Sequence, residues 1–464
     1  MKNNAPSNAI LQRWAETLAR RGADGAIYGR DGKATHTFAA VDFQARYWAK
    51  QFARWGAGNV VGIQMENQPL WPVVMLGALQ AGLIPLPLGQ YMTHEEREMA
   101  LETCGARGLV TQDLSRNQLE ENRSFPLPAG LEGCDFLKLT SGTTSRPRAI
   151  RFTAAQLVAD CDNICETMGI RDTDLNFGVV PFSHSYGFSN LITPLICRGV
   201  PLVVSEDRMP RAILNDLART GATVFAGMPV FYEKLAGLED GPALAKLRLC
   251  ISAGAPLAAR VGEAFTARYG LKVHTFYGSS ECGGIGYDAG EEAVYEDGFV
   301  GTPMRGVEIA PEGDAGQIAV RSEAVGLGYY PEPAPDVLGA GRFIPGDLVQ
   351  IRERGMYLAG RATDVINIAG RKLNPCEVEA RLAQCPGVRQ VVVFGVASAL
   401  RNEEAIACVS GEAAPDAVLR YARGVLSGWQ VPKDVWLVDE VPVNERGKIS
   451  RRDLARMYGE RTAL

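Results

Sequence analysis

The stretch Leu137-Lys138-Leu139-Thr140-Ser141-Gly142-Thr143-Thr144-Ser145-Arg146-Pro147-Arg148 passes from a strand-like entry into hydroxyl and glycine residues and ends on a cation. A loop that wraps polyphosphate needs those residue types: converging backbone N–H groups, hydroxyl donors and a positive charge. The plain alternative is a Ser/Thr/Gly surface loop. Thr140, Ser141, Gly142, Thr143, Thr144 and Arg148 are accordingly the candidate phosphate contacts. Gly355-x4-Gly360-Arg361 imitates a Walker loop, but Arg stands where Lys is required and the setting reads as a turn between strands.

Further groups lie in other loops. Ser252-Ala253-Gly254-Ala255-Pro256-Leu257 and Tyr277-Gly278-Ser279-Ser280-Glu281 follow expected strands, where open α/β sheets bind ligands. Small residues at Gly254 and Ala255 let the backbone approach a flat purine, and Tyr277 is suited to stack on its other face. Glu281, alone in a loop, would ordinarily be solvated. Asp347 also fits a tight Pro345-Gly346 turn. His184, in Pro181-Phe182-Ser183-His184-Ser185-Tyr186-Gly187, would ordinarily be structural. Lys448, in Pro442-Val443-Asn444-Glu445-Arg446-Gly447-Lys448-Ile449-Ser450-Arg451, would ordinarily be a solvated tail cation.

Taken in order, these stretches resemble the superfamily of acyl-CoA synthetases, peptide-synthetase adenylation domains and luciferases. That family's phosphate loop reads T-S-G-T-T-G-x-P-K-G, its histidine segment P-x-x-H-x-x-G and its tail P-x-x-x-x-G-K-[IV]-x-R. Leu76-Gly77-Ala78-Leu79-Gln80-Ala81-Gly82 with Pro85 and Pro87 is similar to an early family segment, so the match runs along essentially the whole chain. The loop departs from the pattern at Ser145, Arg148 and Ala149. Arg keeps the charge but presents a planar fork in place of a point.

The resemblance implies ATP-dependent activation of a carboxylic acid as acyl-AMP, then transfer to the thiol of CoA or of phosphopantetheine. It implies an α/β fold: a large N-terminal domain of mixed α/β subdomains plus a β-rich subdomain over 1–362, and a small mobile α+β domain over 363–464. It also implies roles. The ATP site takes the loop residues with Gly254, Ala255, Pro256, Tyr277, Gly278, Ser279 and Ser280, and Glu281 holds Mg²⁺ shared with the phosphates. Asp347 holds the ribose hydroxyls, and Arg361 makes a second ribose or phosphate contact. Lys448 is the catalytic lysine, whose ammonium bridges two approaching anions. Thr363 and Asp364 stand where the hinge is expected. In this family the small domain rotates between the steps and presents the loop around Gly370-Arg371-Lys372-Leu373 to the thiol channel.

His184 falls at the carboxylate end of the acid pocket. Amino-acid-activating relatives place an Asp near it, and Ser183 to Ser185 offer no acid, so the expected substrate lacks an α-amine. Phe182, Tyr186, Phe188, Met228, Cys282, Gly283 and Gly284 are the expected linings, suited to an aromatic or a short to medium aliphatic acid. Two alternatives share the loop chemistry: an enzyme dedicated to loading a carrier protein, and a nucleotide-binding regulator with degenerate catalysis.

The elements that must position these residues follow from periodicity. Apolar residues recur at helical spacing over 38–55 and 71–81, and 60–65 and 84–88 are strand-like. Short apolar runs at 175–180, 201–205, 222–226 and 247–252 alternate with helical patterns, as in α/β folds. Residues 309–349 read as a small β-rich subdomain with Gly and Pro turns. Later, 377–384 and 416–426 are helical, and 390–396 and 435–438 are strands, with a boundary near 361–364. The 464 residues exceed what one core usually serves. A net charge of −5 gives no basic footprint for nucleic acid. Ten cysteines without metal-ligand spacing read as reduced, buried residues of a cytoplasmic protein. No apolar run is long enough to span a bilayer.

Overall fold

The computed structural model describes residues 8–65, 67–112, 119–121, 130–140, 147–313, 316–368, 371–398, 402–443 and 449–462. The chain divides into two compact units. One holds the residues up to Pro311 with Ile318–Pro345 and Ile351–Tyr357; the other holds Glu312–Gln317, Gly346–Gln350 and the chain from Leu358 onward.

The first unit is built on a nine-stranded sheet. Six strands run parallel at its centre, in the order Val273–Ser279, Leu249–Ser252, Val224–Gly227, Asn176–Gly178, Leu202–Val204 and Gly25–Tyr28, and antiparallel strands extend both edges. Leu249–Ser252, Val224–Gly227 and Leu202–Val204 are buried throughout, as the inner strands of a parallel sheet are. In a second sheet, Val60–Gln64 lies between Ile84–Leu88 and Ala106–Thr111. Proline cannot donate to a ladder, so Ile84-Pro85-Leu86-Pro87-Leu88 occupies an edge of that sheet.

Helices begin where hydroxyl side chains replace missing acceptors. Thr37 accepts from Ala40 N at the start of Phe38–Phe52. Thr153 and Gln156 form a reciprocal capping box that starts Ala154–Met168, and Gly169, at φ +63°, ends that helix. The expected helix over 38–55 tightens into a 3-10 turn at Ala53–Trp55 and stops at Gly56, φ +76°.

Three expectations change. Residues 309–349 do not form one subdomain: Val307–Glu312, Gln317–Ser322, Leu338–Gly339 and Arg342–Phe343 share a sheet, but Gly328–Tyr330 pairs instead with Ala149–Phe152. Gly355–Arg361 is itself a strand, because Met356 and Tyr357 supply buried side chains that a turn would expose. Arg371–Leu373, expected as a loop, pairs antiparallel with Ile366–Ile368 and buries Leu373; Gly370 lies outside the described residues.

The second unit shows how period-2 alternation builds two cores. Val391, Val393, Ala405, Ala407 and Val409 face Val378, Leu382, Val418 and Ala422, which come from the helices Pro375–Leu382 and Pro415–Val425. Val392, Phe394, Ile406 and Cys408 face Trp436 and Leu454 on the other side.

The helix Arg451–Thr462 is fastened by its first residue. Arg451 reaches Asp364 at 2.7 Å, both oxygens of Glu379 at 2.8 and 3.0 Å, and Val393 O at 2.9 Å. The guanidinium spreads these contacts over three nitrogens, Nη1 to Asp364, Nη2 to Glu379 and Nε to Val393 O, which a single ammonium cannot do. Arg451→Ala should therefore destabilise the second unit by about 2–3 kcal/mol, with Arg451→Lys in between. Urea unfolding followed by Trp436 fluorescence checks this; an unchanged midpoint in the Ala variant refutes the fastening.

Candidate active site

Phe136–Leu139 and Ala149–Phe152 form an antiparallel pair with Leu139 opposite Ala149 and Phe136 opposite Phe152. The segment between them is closed at its neck, where Thr140 N and Oγ1 both donate to Arg148 O, at 2.9 and 3.2 Å. Ser141, Gly142, Thr143, Thr144 and Ser145 lie outside the described residues.

Arg148 leaves this neck with its guanidinium 4.1 Å from the centroid of the Tyr329 ring, and its Nη2 donates to Glu332 O at 3.1 Å. Tyr329 belongs to Gly328–Tyr330, the strand that joins Ala149–Phe152. Its hydroxyl donates to Glu281 Oε1 at 3.0 Å, while Ser279 Oγ donates to Oε2. Gly326 N donates to Glu281 O at 2.9 Å and draws the two segments together. Burial, then the Glu281 charge, pushes the Tyr329 phenol up, so it stays protonated as a donor.

Glu281 is thus an oxygen anion held from both sides, with lone pairs left on each oxygen. It suits Mg²⁺, which takes one or two carboxylates and completes its shell with phosphate and water. Among the described residues no group of three or more His, Cys, Asp or Glu gathers to hold a metal, so Glu281 would bind it together with phosphate oxygens.

The strand ends carry the other ligand-facing candidates. Gly254 takes φ +85°, and Gly254, Ala255 and Pro256 are exposed beyond Leu249–Ser252. Tyr277 lies within Val273–Ser279 and is 6% exposed. A Cβ on Gly278 would come within 2.8 Å of Gly283 O. Ser185 Oγ donates to Ser280 Oγ at 2.8 Å, and Tyr186 OH donates to Gly227 O at 3.2 Å and Ile251 O at 3.0 Å. His184 is exposed at the start of the turn Ser185–Gly187. Gly187 is glycine because a Cβ would meet Pro181 O at 2.1 Å.

Of the expected pocket linings, Tyr186 and Met228 are half-buried near these strand ends. Phe182 and Phe188 are buried edge-on against Trp71, at 6.1 and 6.2 Å. Cys282, Gly283 and Gly284 are buried. Their smallness answers to close neighbours: a Cβ on Gly283 would lie 1.9 Å from Asp160 Oδ1, and one on Gly284 would lie 2.5 Å from Met304 Sδ.

In the second unit, Arg361 Nε lies 3.2 Å from Asp347 Oδ1, and Ala362 N donates to Gly346 O at 2.8 Å, so these residues are neighbours. Thr363 Oγ1 donates to Asp364 Oδ1 at 3.4 Å, and Asp364 receives Arg451. Lys448 lies outside the described residues. All ten cysteines are free, nine of them buried and Cys376 half-buried.

Three polar residues of the first unit were not anticipated. Tyr329 is 48 residues from Glu281, and no local spacing connects them. Asp160 lies on the buried face of Ala154–Met168 and accepts from Ser189 Oγ at 2.6 Å and Gly284 N at 3.0 Å. Lys138 did carry a signal, because it interrupts the apolar strand Phe136–Leu139.

The family model described as AMP-binding enzyme matches residues 12–134 and 132–330, and the one described as AMP-binding enzyme C-terminal domain matches 377–448. The chain is 26% identical over 459 residues to a probable CoA ligase, CCL9, of Humulus lupulus, with 87% of each chain covered. It is 26% identical over 441 residues to a feruloyl-CoA synthase of an Amycolatopsis species, covering 87% of this chain and 89% of that one. Its fold matches ATP-bound MatB from Rhodopseudomonas palustris with a TM-score of 0.84 at 24% identity, over 96% of this chain and 98% of that one. No helix among the described residues is long and apolar enough to cross a membrane. With family models covering the loop neck, Glu281 and the C-terminal segment alike, the chain belongs to the AMP-binding enzyme family.

Proposed function

We propose that this protein is an acid–thiol ligase: it activates a carboxylic acid with ATP as acyl-AMP, releases pyrophosphate, and passes the acyl group to the thiol of CoA. The observation that carries this reading is the run of contacts from Arg148 through Tyr329 to Glu281 beside the neck of the loop. Those contacts support the reading because a cation and a carboxylate of the kind that binds Mg²⁺ share one tyrosine.

A carboxylate is a poor acylating agent because its leaving group would be oxide. Attack of its oxygen on the α-phosphorus breaks the bond to pyrophosphate and leaves a mixed anhydride. The thiolate then attacks the acyl carbon and AMP departs. Mg²⁺, when bound at Glu281, supplies charge neutralisation at the phosphates. Arg148 and the loop N–H groups orient the polyphosphate, and Gly254, Ala255 and Tyr277 border the purine. Asp347 and Arg361 hold the ribose, and Lys448, on the mobile segment 363–464, bridges the two anions during the first step. His184 borders the reacting carboxylate. The feruloyl-CoA synthase relative and the absence of an acid at Ser183-His184-Ser185 support an acid without an α-amine, aromatic or short to medium aliphatic.

The deciding experiment is acid-dependent ATP–pyrophosphate exchange, followed by thioester formation with CoA and, separately, with a phosphopantetheinylated carrier protein. If no acid supports exchange, the ligase reading fails; if only the carrier accepts the acyl group, the assignment of CoA fails. Glu281→Gln keeps the shape but removes the charge, and roughly a ten- to a hundred-and-fifty-fold loss in kcat/KM for ATP is expected. Unchanged ATP kinetics remove Glu281 from the site. Lys448→Ala should abolish exchange yet still convert supplied acyl-AMP to thioester, and near-normal exchange would refute its role. A panel pairing each acid with its α-amino analogue should favour the acid by more than tenfold, because an unpaired buried ammonium costs several kcal/mol. Preference for the amino analogues contradicts the substrate class.

A further inference from the structure

Lys138 is only 5% exposed, on the strand Phe136–Leu139 that leads into the phosphate loop. Its ammonium lies 4.8 Å from the Phe152 ring centroid and 5.2 Å from that of Phe188. Among the described residues these aromatic faces are its direct contacts, and no oxygen accepts a hydrogen bond from Nζ. Cation–π attraction replaces only part of an ammonium's hydration. An ammonium held against aromatic faces with no protein acceptor must take its acceptor from solvent or from a ligand.

The surrounding charges sharpen the point. Burial pulls the Lys138 pKa down, and Asp160 most strongly, then Cys282 and Glu281, pull it back up. Asp160 therefore supplies a counter-charge that lets an ammonium persist in the interior. Its oxygens are already engaged, Oδ2 by Ser189 and Oδ1 by Gly284 N, and no ion pair to Lys138 is formed. Among the described residues, Nζ is left without a protein acceptor. The Lys138 ammonium lies over Phe188, which follows the Ser185–Gly187 turn, and within electrostatic reach of Cys282, which follows Glu281. From the sequence both segments are expected beside the acid, although Phe188 and Cys282 are themselves buried.

We propose that Lys138 is a specificity-determining residue, whose ammonium donates to an oxygen acceptor that the acid carries besides its reacting carboxylate, a second carboxylate or a hydroxyl. This rests on the ligase reading above. The substrate supplies the acceptor that the protein withholds, and a hydrogen-bonding site that is left unpaired rejects analogues lacking the group.

The test uses matched probes: terephthalate and 4-hydroxybenzoate against 4-methylbenzoate, and succinate against butyrate. Both kcat/KM in pyrophosphate exchange and Kd by calorimetry are measured. The wild type should prefer the oxygen-bearing member by roughly ten- to a hundred-and-fifty-fold, the worth of one charge-assisted hydrogen bond. Lys138→Met should bring that ratio to about one through loss of the oxygen-bearing acids alone. Should that variant fail to fold, Lys138→Met combined with Asp160→Asn removes both charges together and should show the same collapse. The proposal is overturned by a wild-type ratio near one, by a preserved ratio in the variants, or by an equal fall for every acid, which would make Lys138 a partner of the reacting carboxylate. Calorimetry needs no turnover, so absence of exchange with every acid sinks the ligase reading while the binding ratio still decides the role of Lys138.

Discussion

Two groups of opposite charge stand beside the neck of one loop without collapsing onto each other, and the Tyr329 ring lies between them. Its face receives the Arg148 guanidinium at 4.1 Å and its hydroxyl donates to Glu281 at 3.0 Å. A direct ion pair would consume both charges before a ligand arrived. With the phenol between them, Arg148 retains donors and Glu281 retains lone pairs. The three-stranded sheet exists to make this possible: Gly328–Tyr330 crosses from a distant part of the chain to pair with the strand that follows the loop.

The same economy shapes the glycines next to Glu281. Gly283 takes φ +70° and yields its Cβ position to Asp160, whose carboxylate needs that approach to accept from Gly284 N. A larger residue at either position would displace Asp160 or Met304. The run Cys282-Gly283-Gly284 therefore reflects close packing behind the Glu281 turn. Behind that turn lies a buried polar layer in which Asp160 accepts from Ser189 Oγ and Gly284 N.

Much of the fold was legible in the sequence, because its signals are local. The apolar runs near 176, 202, 224 and 249 are strands of one parallel sheet. The expected extended piece at 84–88 is a strand of the second sheet. Candidate site residues could be picked out only where they are close in sequence, as in Tyr277 to Glu281. Tyr329 and Asp160 escaped notice because their partners are far away in the chain, and period and spacing carry no information about such contacts. Phe182 and Phe188 show the converse: aromatic residues in a ligand-side motif are packed against Trp71. Gly355–Arg361 was misread because its glycines suggested a turn, whereas Met356 and Tyr357 between them are buried in a strand.

The departures of the phosphate loop from the family pattern become coherent once Tyr329 is in place. The pattern ends in Lys-Gly, and this chain has Arg148-Ala149. A lysine at 148 would bring a point charge to the ring, whereas the planar guanidinium stacks on it and still donates sideways to Glu332 O at 3.1 Å. Glycine at 149 is unnecessary here, because the residue opens the strand Ala149–Phe152 between Leu139 and Tyr330, fully buried, where a methyl fills space that glycine would leave empty. Arg148, Ala149 and Tyr329 are thus one solution in three parts. The departure at Arg148 is the counterpart of an aromatic ring far later in the chain.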